Sequence, residues 1–261
     1  MVNSLQTAVL QFPVSMDAGR NLERLTACID QLDAGTLAVA PEGALSGYAP
    51  EPGFVASLDP GAIARAIDSA RSTVANKKIH LVVGACFLDD GAWKNSSFYI
   101  GPEGRLERYD KINLAQSERG TFHPGNRLPV FEIDHEGEAF HLGIQMCREI
   151  RYPEQWRVLA AKGAQVIAYV NNAVGSRDGD HVWRAHMISR AAETQRFILG
   201  ANNAASDQKC PSMIVSPSGK VLAEIAIGSE GKAEATLVLS EVSDWVLSQA
   251  RDDVVAVLLR E

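Results

Sequence analysis

Three residues of this chain combine a reactive side chain with a position at the end of an apolar run. Glu42 comes two residues after the run 36–40, and Lys111 comes two residues after the run 106–109. Cys147 follows directly on a stretch patterned by Leu142, Ile144 and Met146. Charged residues come next, and then Tyr152-Pro153-Glu154, which reads as the opening of a helix with proline in its first turn. A thiol at such a strand-to-helix corner stands at the mouth of an α/β sheet, where helix-start N–H groups can hold negative charge beside it. The thiolate is the reacting form of cysteine, so the chemistry open to this corner is nucleophilic attack. If the three strands are neighbours, the carboxylate, the ammonium group and the thiol converge at one edge, where α/β folds keep their sites. Taken singly, each has a plainer explanation. A free cysteine is often a small buried apolar residue, and a glutamate or lysine after a strand often ends it in water.

The elements that must position these groups follow from hydrophobic periodicity. Residues 6–12 read as a strand stopped by Pro13. Leu22, Leu25, Ile29 and Leu32 fall at helical spacing and predict an amphipathic helix over 20–32. A buried strand over 36–40 leads to Glu42. A helix over 62–74 has Ile63, Ile67, Ala70 and Val74 on one face, and a strand over 79–86 follows. The runs 97–100 and 106–109 are separated by Gly101-Pro102-Glu103-Gly104, a hairpin signal, and the second delivers Lys111. Residues 115–128 form a polar loop that holds Glu118, and loops of this length are often functional.

Strands at 130–133 and 139–145 lead to the cysteine corner, followed by a helix over 152–161. A strand over 165–170 ends at Asn171-Asn172, and a helix over 181–194 comes next. Strands at 197–201, 212–215, 221–225 and near 235–239, with a helix from Glu241 onward, close the chain. Alternating strands and amphipathic helices with hairpins among them predict two packed sheets with helices on both outer faces. A doubly wound single sheet is the competing arrangement, and it would have fewer hairpins. With no linker in sight, residues 1–261 read as one domain.

Composition narrows the class of protein. The 261 residues are 46% hydrophobic and 22% charged, an ordinary globular balance. The net charge of −7 is spread along the chain and leaves no basic footprint for nucleic acid or an anionic membrane. The first residues lack a basic and then apolar leader, and no later run approaches the roughly 18 apolar residues of a membrane span, so a cytoplasmic protein is expected. Cys28, Cys86, Cys147 and Cys210 lie far apart with no CxxC or Cys/His cluster, which argues against structural zinc and a disulfide framework.

Three segments together carry a resemblance. They are Ala40-Pro-Glu42 with Gly-Ala-Leu-Ser-Gly-Tyr48 behind it, Arg108-Tyr-Asp-Lys-Ile-Asn-Leu114, and Gly143-Ile-Gln-Met-Cys-Arg-Glu-Ile-Arg-Tyr-Pro-Glu154. In this order they resemble the signatures of the nitrilase superfamily, the carbon–nitrogen hydrolases. The likeness continues through Arg190-Ala-Ala-Glu-Thr-Gln195, Asn202 and Met213-Ile-Val-Ser-Pro-Ser-Gly219, and so covers nearly the whole chain. It implies a four-layer αββα sandwich of two mixed, largely antiparallel sheets, and a catalytic triad of Glu42, Lys111 and Cys147. It also implies a second carboxylate after the lysine that orients the substrate amide or shares in proton transfer, and Glu118 fits. No metal or organic cofactor is expected. A homodimer or higher homo-oligomer, formed through helices near the cysteine and the C-terminus, is.

Within that resemblance each residue type has a reason. Glu42 is expected to take the proton from Cys147, and the sulfur to add to an amide carbonyl. Lys111 and the backbone N–H of Arg148 at the helix start are expected to hold the oxyanion. Members that act on nitriles usually carry Trp-Glu after the cysteine, whereas this chain has Arg148-Glu149, so a small-molecule amidase is expected. An N-carbamoyl (ureide) hydrolase and a catalytically silent binding subunit are the alternatives. Arg148 either lines the pocket or pairs with Glu149. Arg151 sits where carbamoyl-amino-acid hydrolases hold a substrate carboxylate, though a structural role is open to it. Tyr48, Phe122, Asn171 and Asn172 are candidate pocket residues with packing as the alternative. The family's Gly-x-Ser appears here as Cys210-Pro211-Ser212.

Overall fold

The computed structural model describes residues 4–51, 53–173 and 179–256. The first part of the chain lays down β1 (Ser4–Gln11), α1 (Ala18–Ile29), β2 (Leu37–Val39), α2 (Pro60–Lys77), β3 (His80–Asp89), β4 (Ala92–Ile100) and β5 (Leu106–Asp110). A hairpin of β6 (Val130–His135) and β7 (Glu138–Met146) opens the second sheet. That sheet continues through α3 (Pro153–Ala161), β8 (Val166–Val170), α4 (Asp180–Thr194), β9 (Phe197–Ala201), β10 (Ser212–Val215) and β11 (Val221–Ile225). β12 (Gly231–Val238) then returns to the first sheet and pairs with β1.

The strand orders are β12-β1-β2-β3-β4-β5 and β6-β7-β8-β9-β10-β11. Read in that direction, both sheets pair antiparallel, parallel, parallel, antiparallel, antiparallel. One topology is used twice.

Side-chain alternation explains the layers. In β1, Leu5 and Val9 face the second sheet, while Ala8 and Leu10 face the other way, onto Leu25 and Ile29 of α1 and Ile63, Ile67 and Val74 of α2. In the second sheet, Val166 to Val170 are apolar on both faces, as parallel strands covered on both sides require. Trp156 and Leu159 of α3 and Met187 and Ala191 of α4 cover the outer face. The expected αββα sandwich is what forms. The first two helices begin on aspartates whose carboxylates accept from first-turn N–H groups, Asp17 from Arg20 at 3.1 Å and Asp59 from Gly61 at 2.8 Å. Pro60 and Pro153 occupy first-turn positions of α2 and α3. Among the described residues no helix is long and apolar enough to cross a membrane.

The helix expected from Glu241 onward does not form. Short turns occupy Leu239–Glu241 and Leu247–Gln249, and residues 257–261 lie outside the described ones. Tertiary contacts override the local preference here. The buried Arg196 donates to the carbonyl of Ser243 at 2.6 Å and pairs with Asp244, and Val246 N–H donates to Gln195 Oε1 at 2.7 Å. Backbone groups committed in this way cannot all enter a helical ladder, and Trp245, Val254 and Val255 have no apolar face to join. Arg196 also donates to Ala160 O at 3.0 Å and Thr194 O at 3.1 Å, so one cation serves the C-terminal ends of α3 and α4.

Candidate active site

Glu42 is placed by a loop laid directly on β3. Beyond β2, Ala40 N–H donates to Val82 O at 2.8 Å, Leu45 N–H to Gly84 O at 3.1 Å and Cys86 N–H to Ser46 Oγ at 2.8 Å. Gly84 makes this approach possible, because a Cβ there would lie 2.6 Å from the Cα of Glu42. The N–H of Glu42 reaches across to the second sheet and donates to Asn171 O at 3.1 Å. Lys111 follows β5 directly; its N–H donates to Asn95 O and its carbonyl accepts from Gly125 N–H, both at 2.9 Å.

Five buried polar side chains meet here. Lys111 Nζ lies 2.9 Å from Glu42 Oε1 and 2.8 Å from Glu118 Oε1. Asn95 Nδ2 donates to the same two oxygens at 2.8 and 2.6 Å. The Tyr48 hydroxyl donates to Glu118 Oε1 at 2.9 Å, and its ring centroid lies 5.9 Å from Nζ. Glu118 Oε1 thus accepts three donors, while its Oε2 accepts the N–H of Ala115, the residue that precedes the short turn Gln116–Glu118. Glu42 Oε2 is buried and accepts no hydrogen bond.

The electrostatics divide the two carboxylates. Burial works against the charge on Lys111, but Glu118 and Glu42 outweigh it and hold the ammonium form well above the ordinary lysine range. Burial also works to raise Glu118, yet the charge and hydrogen bond of Lys111, with the N–H groups of Ala115 and Asn95, bring it below the usual carboxylate range. Glu42 ends above that range, because burial exceeds the help it receives from Lys111 and the charge of Glu118 pushes the same way. One ammonium cannot fully neutralise two carboxylates. Glu118 keeps the anion, and Glu42 is the more readily protonated of the two.

Cys147 stands at the end of β7 with φ at +39°, a left-handed conformation that costs a residue with a side chain. The Tyr169 hydroxyl donates to its carbonyl at 2.7 Å, and its Sγ lies 3.7 Å from Asn172 O. The residue is 8% exposed. Burial pushes the thiol well above its ordinary range; Glu42 and Glu118 push the same way and Lys111 opposes them. The expectation that Arg148 N–H stands at the start of α3 needs correction. A separate turn, Cys147–Arg151, intervenes, and α3 begins at Pro153.

The other expected pocket residues divide. Asn172 joins the cluster: its Nδ2 donates to Glu42 O at 3.4 Å, and its Oδ1 accepts from Gln208 at 3.0 Å and Asn203 at 3.3 Å. Asn171 is buried beside it and supplies the carbonyl that fixes Glu42. Phe122 is buried against Phe54, with centroids 5.8 Å apart, and Phe54 meets the edge of Tyr48 at 5.4 Å. Arg151 is exposed, with its guanidinium 5.8 Å from the Trp183 ring centroid. Arg148 does not pair with Glu149, whose carboxylate is taken up by Tyr109 and three backbone N–H groups. The Arg148 Nε is instead buried without a hydrogen-bond partner. Asn95 went unnoticed in the sequence, although Asn95-Ser96-Ser97 is an unusually polar run for a central strand and could have marked it.

The carbon–nitrogen hydrolase family model matches residues 6–246. The chain belongs to that family. An (R)-stereoselective amidase from a Pseudomonas species is 28% identical over 256 residues, covering 96% of this chain and 88% of the relative. Among solved structures, an amidase from a Nesterenkonia species superposes with a TM-score of 0.81 at 21% identity, covering 97% of this chain and 96% of its own. Nit3 of Saccharomyces cerevisiae, described as a nitrilase superfamily member, gives 0.78 at 23% identity, covering 96% of this chain and 97% of its own. A cysteine-to-alanine mutant of the Nesterenkonia amidase is described in complex with butyramide. This chain is therefore a carbon–nitrogen hydrolase, with amidases among its sequence relatives and its structural neighbours.

Proposed function

We propose that the protein hydrolyses a small carboxylic amide to the acid and ammonia, or an amine, through a thioester on Cys147. Glu42 takes the thiol proton as sulfur adds to the carbonyl carbon, and the C–N bond breaks as Glu42 passes that proton to the departing nitrogen. Glu42 then deprotonates a water that attacks the thioester, and the proton returns to the thiolate. The observation that carries this reading is the unequal use of the Glu42 oxygens: Oε1 is committed to Lys111 and Asn95, while Oε2 is buried and unbonded. A buried thiol held above its ordinary range needs such a base.

Lysine has three N–H donors, and two of those on Lys111 go to Glu42 and Glu118. The third is assigned to the oxyanion, together with the N–H of Arg148 in the turn after the cysteine. With Oε1 already accepting three donors, Glu118 acts here as the fixed anion that orients Lys111. The aromatic group of Tyr48, Phe54 and Phe122 beside it suits a short aliphatic acyl chain.

Cys147→Ala is expected to remove ammonia release from primary amides such as butyramide by a factor on the order of 10⁴ or more. Retained turnover in that variant would overturn the scheme. A ureide-cleaving activity is the second reading, and release of carbon dioxide with ammonia from N-carbamoyl substrates would establish it in place of the first. In either case we assign Arg148, in the turn after the cysteine, to an acid group on the substrate. Arg148→Ala should then raise KM for acidic amides more than for butyramide. For assembly, the proposal is a homodimer through the face where α3, α4 and the exposed Trp245 lie, checked by sedimentation of Trp245→Ser.

A further inference from the structure

Glu149 is fully buried and accepts hydrogen bonds from four groups on two separate stretches of chain. Its Oε1 accepts Ile112 N–H at 2.8 Å and Asn113 N–H at 3.1 Å, the two peptide groups that follow Lys111. Its Oε2 accepts Met146 N–H at 2.9 Å, the peptide group that precedes Cys147. The Tyr109 hydroxyl, two residues before Lys111, bridges both oxygens at 2.8 Å. The Trp156 indole donates to the Glu149 carbonyl at 2.9 Å and fixes the turn from behind. One carboxylate therefore spans the gap between the segment that carries the lysine and the segment that carries the thiol.

We propose that Glu149 is the positioning residue of this active site, a buried acceptor that holds the strained backbone of Cys147 in register with Lys111. The proposal rests on the reading of Cys147 and Lys111 given above. The turn bends back on itself so that Glu149 bonds the N–H of Met146, and this bond closes the corner in which Cys147 keeps its positive φ. The three N–H groups can only donate and the Tyr109 hydroxyl completes the set, so the ionised carboxylate accepts from all four together. The titratable and charged groups facing it are the Tyr109 phenol on β5, the Lys111 ammonium beyond that strand and the Tyr169 phenol on β8. Gln145 on β7, which donates to the Tyr109 hydroxyl at 3.4 Å, and Trp156 on α3 are neutral. Burial is the main influence on Glu149 and raises it, while the Asn113 N–H, the Tyr109 hydroxyl and the Met146 N–H pull it back.

The test uses the full chain with a primary amide, reading kcat and KM across pH. Glu149→Gln turns an NH₂ group against one of the N–H donors, and a displacement of this kind near 1 Å is expected to lower kcat about 100-fold with KM within about threefold. Leu25→Ala, in the core under α1, serves as a control of comparable thermal loss with unchanged kcat. Tyr109→Phe keeps the carboxylate but removes one donor to its ionised form. The sign follows: protonation becomes easier, so the acid limb of kcat should move to higher pH. Glu149→Gln with kcat within threefold of the parent, or Tyr109→Phe with an unmoved acid limb, would overturn the proposal. Should Glu149→Gln fail to fold, the Tyr109→Phe profile decides alone. Failure of the catalytic reading is seen separately, as turnover in Cys147→Ala.

Discussion

The two sheets share one order of strand directions, yet the polar groups at their site-facing ends differ in kind. Beyond β2 and β5 of the first sheet stand Glu42, Lys111 and Glu118, two carboxylates within hydrogen-bonding reach of one ammonium nitrogen. Beyond β7, β8 and β9 of the second stand Cys147, Asn171, Asn172 and Asn202, all uncharged in the resting protein. A buried ion needs a counter-ion or a full set of hydrogen bonds, so keeping Lys111 and its two carboxylates on one sheet lets them neutralise one another within a single scaffold. The second sheet brings a neutral thiol to a finished electrostatic site. A repeated topology thus supplies the frame, and the chemistry lies in how the two copies diverged.

The sharpest way to break this division is to neutralise Glu42, the proposed base, while keeping its shape. Glu42→Gln should lower kcat by about 10³-fold, in the range of lost acid–base catalysis, while thermal stability stays within a few degrees of the parent. In the parent enzyme kcat/KM should fall with decreasing pH through a value above the ordinary carboxylate range, since burial raises Glu42 and the protonated form cannot accept from the thiol. An acid limb within the ordinary range would shift the base assignment away from this residue.

A second pair of variants sharpens the same contrast. A Cβ at Gly84 in β3 would meet the backbone of Glu42 at 2.6 Å, whereas a Cβ at Gly200 in β9, the counterpart strand, would meet the Met187 sulfur at 2.5 Å. A thioether on a flexible stem can move, and a backbone pinned at several points cannot. Gly84→Ala should therefore lose about tenfold or more in kcat, while Gly200→Ala loses little activity and costs about 1 kcal/mol of stability. Equal activity loss in the two variants would remove the asymmetry.

The smallest effect is expected at the far end of the sheets, where they meet through histidines. His80 on β3 bonds the Tyr99 hydroxyl at 2.8 Å and His135 on β6 at 3.3 Å, and burial with the neighbouring His135 lowers it to about 4. A depressed histidine means that the unfolded chain binds the proton first. The stability is then whole above the unfolded value near 6.5 and is lost as pH falls toward 4. About 2 kcal/mol should be gone by pH 5, and His80→Gln should shrink the drop in melting temperature between pH 7.5 and 5.

Much of this was legible in the residues. The strands before Glu42, Lys111 and Cys147 are short apolar runs, and parallel strands covered on both sides leave that signature. Glu118 needed the likeness to a known family, since nothing local distinguishes a glutamate in a polar loop. The pairing expected of Arg148 with Glu149 failed for a geometric reason: adjacent residues in a tight turn point apart, and Glu149 folds back onto Met146. Asn95 was hidden because a polar residue within a strand reads as its wet face, and only the packed sheets bring it between two carboxylates. The absent final helix reflects Arg196, a residue far from that segment, claiming the Ser243 carbonyl and the Asp244 carboxylate.

The pairing of β12 with β1 has a consequence for synthesis. Ser4 lies opposite Val238, so the first strand emerges from the ribosome long before its outer neighbour exists. The nascent first sheet must wait with an open edge through more than two hundred codons, a long-range closure of the sort that slows folding. Closure of the first sheet therefore waits for residues 231–238, and until they are made the outer side of β1 is an edge that another strand could occupy.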